Sequence, residues 1–173
     1  MAGRPPRGHL APFAEAAESA ELVVHASNGE AALEVLAATG EHLDDKVLLD
    51  VSNPLDFSRG FPPTLFVKDD DSLAEQIQAA HPRARVVKSL NTMNADLMVH
   101  PETLADGDHT VFVSGDDAEA KATVTALLQQ IGHRDVVDLG PLETARGTEM
   151  YLPLWLRLYG ALGTFAFNVK LVR

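Results

Sequence analysis

Five short runs in this chain are almost continuous in apolar and β-branched residues: Glu21 to Ala26 (ELVVHA), Lys46 to Val51 (KVLLDV), Arg85 to Leu90 (RVVKSL), His109 to Ser114 (HTVFVS) and Asp135 to Leu139 (DVVDL). A strand with water on one face alternates apolar and polar side chains, whereas a strand covered on both faces has no reason to alternate, so runs of this kind suit the interior of a sheet flanked by helices. The segments between most of them carry helical spacing, at Glu30 to Ala38, Ser72 to Ala80 and Asp117 to Ile131. The last puts Ala120, Val124, Leu127, Leu128 and Ile131 on one side, the apolar stripe a helix needs to lie on a sheet. Strands alternating with helices imply right-handed crossovers. The expected fold is therefore α/β with a parallel sheet.

Composition narrows the partners. A length of 173 residues with 46% apolar content suits one domain with a continuous core. Fourteen basic against 25 acidic residues leave a net charge of -11, which opposes binding to a phosphate backbone or an anionic membrane surface; nucleic acid is not an expected partner. With no cysteine in the chain, disulfides, thiolate metal sites and a cysteine nucleophile are excluded. Met1 to Pro12 carries Arg4 and Arg7 without an apolar run behind them, so it does not read as a secretory signal, and a cytoplasmic location is expected. Tyr151 to Val169 is long and apolar enough to raise the question of a membrane span. Arg157 at its middle, with Pro153, Gly160, Gly163 and Asn168, favours a buried or interface helix instead.

In a parallel sheet of this kind the ligand lies beyond the carboxyl ends of the strands. Those ends here read Ser27-Asn28-Gly29, Ser52-Asn53-Pro54, Asn91-Thr92-Met93-Asn94 and Gly115-Asp116-Asp117. Such residues also cap helices and turn chains, so each carries two readings. Asp116 to Glu119 has the spacing of a capping box and reads as a helix start. For Ser27-Asn28-Gly29 and Ser52-Asn53-Pro54 capping and ligand contact stand level. Asn91 to Asn94, with Lys88 just before it, brings two amides and a hydroxyl to one strand end and is the preferred site. The seven histidines have no metal-ligand spacing, and Asp69-Asp70-Asp71 lacks the glycine and glutamate of a calcium loop; no metal is expected. His25 ends a strand on the ligand edge, and a lone histidine there reads as structural. No Gly-x-Ser-x-Gly and no Walker lysine is present.

Four strings in order, VVKSLNTMNA (Val86 to Ala95), GDDAEAK (Gly115 to Lys121), DLGPL (Asp138 to Leu142) and ARGTEMYLPLWLRL (Ala145 to Leu158), make the chain from about Phe13 to Arg173 resemble the NADP oxidoreductases that depend on coenzyme F420. These pass hydride between NADP and a deazaflavin. The resemblance implies a Rossmann-like fold and two cofactors, NADP and coenzyme F420. It implies cofactor-binding roles for Ser27, Asn28, Gly29, Asn53 and Pro54 around the nicotinamide and its ribose, and for Asn91, Thr92, Met93 and Asn94 where nicotinamide meets deazaflavin. The C-terminal part, with Glu149, Leu152, Pro153 and Trp155, resembles the segment that closes the deazaflavin pocket and contributes to a dimer. A related domain occurs in membrane metalloreductases, whose lysine-aromatic-asparagine-threonine sequence is close to Lys88 to Thr92; Leu90 here favours the soluble branch. Because hydride passes directly between two ring carbons, no protein acid or base is required, and no catalytic residue is assigned.

The family begins with a strand, a Gly-x-Gly-x-x-Gly turn and a helix, and no such turn occurs in the 173 residues. The expectation is a single, partial dinucleotide-binding domain lacking its first βαβ unit, with strand and helix repeats over 13–140 and a helical, dimer-forming segment over 141–173. Pyrophosphate loses its usual helix N-terminus in such a chain, so impaired activity is expected. Two alternatives stand beside the reductase: a non-catalytic, dimerising α/β remnant that does not bind dinucleotide tightly, and a membrane-associated reductase domain completed by another chain. Glu21 to Ala26 becomes an exposed apolar edge in this reading, a site for self-association.

Overall fold

A computed structural model describes residues 8–173; Arg4 and Arg7 lie outside the described residues. Strands β1 (Leu22–His25), β2 (Val47–Asp50), β5 (Arg85–Ser89), β6 (Thr110–Ser114) and β7 (Asp135–Asp138) form one five-stranded sheet in that order. Every one of these lies within a run picked out by its apolar character. Two further strands, β3 (Leu55–Asp56) and β4 (Thr64–Leu65), pair as a separate antiparallel ribbon that the sequence did not signal, since two residues are too short for any period.

Side-chain alternation sorts the central strands onto two layers. Leu48 and Val86 face one layer, where they pack with helices α2 (Ala32–Ala37) and α3 (Leu73–Ala80). Val47, Leu49 and Val87 face the other, formed by α4 (Ala95–Val99) and α5 (Ala118–Ile131). Strand β2 is buried at all four positions, as a strand covered on both faces must be. On α5 the anticipated stripe is present: Ala120, Val124 and Leu128 are fully buried, and Leu127 packs at the margin of the same cluster. Helix α1 (Phe13–Ser19) lies before β1, and Lys46 ties its C-terminal turn down by donating from Nζ to the carbonyl oxygens of Ala17 and Glu18.

The sheet departs from the expected parallel arrangement at one ladder. β1, β2 and β5 run parallel, and so do β6 and β7, but β5 and β6 pair antiparallel, with Lys88 opposite Ser114 and Ser89 opposite Val113. The chain between them, 90–109, holds the five-residue α4 and two 3-10 turns, and it re-enters the sheet from the edge that β5 left. As a consequence Gly115-Asp116-Asp117 lies beside the amino end of β5, where an added Cβ at Gly115 would stand 2.9 Å from the carbonyl of Val86. It does not join the other strand ends. The cap also falls one residue later than the expected box: Asp117 accepts from the amide of Ala120, while Asp116 accepts from Leu142 N.

β1 pairs only with β2 among the described residues, so it is an edge of the sheet, and Val24 is 51% exposed there. At the other end of the chain, α6 (Ala145–Met150) and α7 (Leu152–Leu162) are followed by an extended tail. The tail folds back so that Phe165 and Phe167 stack with Trp155 and Tyr159, at centroid separations from 3.9 to 5.9 Å. Tyr151 to Val169 is thus an 11-residue helix and a return, and no helix among the described residues is long and apolar enough to cross a membrane.

Candidate functional site

The carboxyl ends of β1, β2 and β5 meet on a buried ionic cluster. Lys88, on β5, is 1% exposed and would be prohibitively costly as an isolated charge. Its Nζ donates to Asp50 Oδ2 at 2.7 Å and to the carbonyl of Ser52 at 2.6 Å, and it lies 2.9 Å from Glu149 Oε1. Asp50, the last residue of β2, accepts through its other oxygen from the Ser52 hydroxyl at 2.7 Å, the Ser52 amide at 3.1 Å and His25 Nδ1 at 2.8 Å. Burial pushes the Asp50 carboxyl up, but the Lys88 charge and the hydrogen bonds from His25, Lys88 and Ser52 outweigh it and hold the group well below the ordinary carboxylate range. Burial likewise pulls Lys88 down, and the carboxylates of Asp50 and Glu149 overcome it to raise the ammonium above its usual value. Both groups are therefore charged across the neutral range.

Glu149 also receives the backbone amides of Leu73 and Ala74 at 2.8 and 3.1 Å. It binds the first turn of α3, where free amides favour an anion, and so joins α6, α3 and β5. Its side chain is buried and fully engaged.

A second set of contacts fastens the loops at the same edge. Asn53 Nδ2 donates to the carbonyl of Asn91 at 2.9 Å, and Asn91 Nδ2 donates to Asn53 Oδ1 at 2.9 Å and to the carbonyl of Thr148 at 3.1 Å. Gly29 is needed where the first loop crosses the second, since a Cβ there would stand 2.0 Å from the Asn53 carbonyl oxygen. Leu90 turns β5 into this loop with φ at 63°, a left-handed conformation that costs a non-glycine residue energy and marks an over-determined position.

The nine residues singled out from the sequence separate by burial. Ser27, Asn28, Asn53 and Asn94 are at least partly accessible, whereas Gly29, Pro54, Asn91, Thr92 and Met93 are buried. Met93 packs into the core with Leu97 and Val87. Asn94 caps α4 through Leu97 N and reaches the carbonyl of Phe165. Asn28 caps the short 3-10 turn after β1. Ser27 accompanies His25, whose Nε2 lies 2.6 Å from the Ser27 hydroxyl oxygen.

Beside Thr92 and Thr148 a cavity of about 370 Å³ opens between β6, α6 and the returning tail, with Tyr151, Phe112 and Val169 among its walls. The Tyr151 hydroxyl is buried and has no hydrogen-bond partner among the described residues. Burial raises its pKa, so it remains a proton donor in want of an acceptor. Of the groups that build this edge, Asp50 carries no functional signal in the sequence, Ser52 stands only within the Ser52-Asn53-Pro54 strand end, Lys88 only beside Asn91, and His25 reads as isolated. No spacing could have paired them, since they come from different strands and from a helix near the end of the chain.

No family model matches the chain. Among solved structures, a protein from Arthrobacter sp. FB24 assigned as an F420-dependent NADP reductase is 58% identical, with a TM-score of 0.93 over 95% of this chain and 76% of that one. The F420-dependent NADP reductase of Methanocaldococcus jannaschii is 29% identical over 145 residues, and metalloreductase STEAP3 of Rattus norvegicus 31% over 148. Each match takes in 83% of this chain, which spans 64% of the first relative and 28% of the second. A Plasmodium falciparum pyrroline carboxylate reductase with NADP bound, 12% identical with a TM-score of 0.56, shares the Rossmann-like fold. The ordered motifs between Val86 and Leu158, the sheet and the Arthrobacter relative agree: the chain belongs to the family of F420-dependent NADP reductases.

Proposed function

We propose that the chain is an oxidoreductase that takes part in hydride transfer between NADP(H) and coenzyme F420, with Ser27, Asn28, Gly29, Asn53 and Pro54 beside the nicotinamide half and Asn91 to Asn94 toward the deazaflavin. The observation that carries this reading is the apolar cavity of about 370 Å³ next to Thr92 and Thr148, with Tyr151 among its lining residues. That volume accommodates a flat ring system, and the relatives' coenzyme supplies the ring's identity. Since Asn53 and Asn91 spend their side-chain amides on each other and on Thr148, their part is to fix the loops. The bound cofactors supply the hydride chemistry; this chain's residues bind, orient and exclude water.

The same reading takes the chain as one dinucleotide-binding unit, 13–140, with a C-terminal helical segment, 141–173, working in the cytoplasm and self-associating. A second reading is a non-catalytic module, favoured by the absence of any Gly-x-Gly-x-x-Gly turn from the 173 residues. Titration calorimetry separates the two. Micromolar binding of NADPH, followed by loss of the coenzyme F420 chromophore on mixing, supports the reductase; no heat at millimolar NADPH, with or without the deazaflavin, favours the module. Gly147→Leu, which puts a side chain into the open space at that wall, is expected to weaken deazaflavin binding by about 10-fold or more, with NADPH binding unchanged.

A further inference from the structure

The hydrogen bonds of His25 run in one direction. Asp50 is held as a carboxylate, which can only accept, so the proton of the imidazole must sit on Nδ1, facing it at 2.8 Å. In the neutral imidazole Nε2 then carries the lone pair, and the atom 2.6 Å from it is the Ser27 hydroxyl oxygen. The Asn28 carbonyl, the other acceptor near that hydroxyl, is farther away at 3.4 Å. Ser27 thus donates to a histidine that donates to an ionised aspartate. The aspartate is locked in place by Lys88, and Lys88 by Glu149. Two carboxylates against one ammonium leave the cluster one negative charge in excess, which stabilises an imidazolium if His25 takes up the serine proton.

Ser27 also faces a space. A cavity of about 490 Å³ lies between α1, β1 and α2, with His25, Ser27, Phe13, Ala17, Val23 and Leu36 in its lining. That volume suits a small organic molecule, and the lining suits an apolar one.

We propose that Ser27, His25 and Asp50 form an acyl-transfer relay, with Ser27 as nucleophile, His25 as general base and acid and Asp50 as its positioning residue, acting on esters of short apolar acids. This activity is separate from hydride transfer and needs no cofactor. In the first step the Ser27 oxygen bonds to the acyl carbon as its proton passes to His25 Nε2. The ester C–O bond then breaks, and the departing alcohol takes that proton. Water next adds to the acyl-serine and gives a proton to His25; the bond to Ser27 breaks, the acid leaves, and Ser27 recovers the proton. Ester and water become acid and alcohol, with no change of oxidation state.

The test treats the full chain, without cofactors, with a fluorophosphonate probe, which replaces fluoride with a serine oxygen, and maps the adduct by peptide mass spectrometry. One adduct per chain on Ser27, lost in Ser27→Ala and kept when the remote, exposed Ser58 is changed to Ala, supports the relay. No adduct at Ser27 in a chain of native circular dichroism, or equal labelling of other exposed serines, overturns it. Because the chain has no cysteine, Ser27→Cys provides one addressable thiol as a second readout. Next to His25 it is expected to react with iodoacetamide at pH 6 at least ~10-fold faster than the same thiol in Ser27→Cys with His25→Gln. Equal rates in the two folded variants would overturn the role of His25. An Asp50→Asn change in the Ser27→Cys background is expected to shift the pH profile of alkylation, which a purely structural aspartate would not do.

Discussion

Lys88 stands at the centre of the candidate site as the counter-charge to two buried carboxylates from different elements. Removing it leaves negative charge without compensation, so Lys88→Met is expected to destabilise the chain by about 3–5 kcal/mol, the range for breaking a buried pair, read from urea unfolding at pH 7. The pH dependence has a definite sign. Because the folded Asp50 carboxyl sits below its unfolded value of ~3.9, its contribution is complete above that pH and is lost as the pH falls toward the folded value. Lys88, raised above its unfolded value of ~10.4, contributes fully below that pH and less as the pH climbs past it. Lys88→Met should therefore move the acid unfolding transition to higher pH; an unmoved midpoint would show that Lys88 does not hold Asp50 down. His25 shows the limit of reading residues singly: its partner is 25 positions away.

Among the elements, the loops after β1, β2 and β5 are held by close backbone approach as much as by side chains. Gly29→Ala puts a methyl group into the Asn53 carbonyl and is expected to cost about 1–3 kcal/mol, as overpacking does, and to loosen the Asn53–Asn91 link. Amide exchange in the loop after β2 would report it, and protection equal to wild type would contradict it. The strands and the three longer helices were legible because each repeats its pattern over four or more residues. The orientation of β6 was not, because apolar runs carry no direction. It is set by the β5–β6 register, which carries the Gly115-Asp116-Asp117 turn to the amino end of β5 and away from the other strand ends.

Over the whole molecule, an apolar β1 that pairs only with β2 among the described residues competes with a net charge of -11. Edge strands recruit strands, and like charge resists it. Association that strengthens with protein concentration and with salt is therefore expected in sedimentation velocity, and Val24→Lys should suppress it; salt-independent assembly untouched by that change would place the contact elsewhere. The α/β class, the positions of the five main strands and the family are legible along the chain, because these rest on local periodicity and on strings of neighbouring residues. That His25, Asp50, Lys88 and Glu149 are one buried cluster, that Asn53 and Asn91 bind each other, and that Met93 belongs to the core emerges only once the elements are packed. The physical reason is that desolvated charges gain their partners through sheet register and helix docking, and neither leaves a trace in the spacing of residues along the chain.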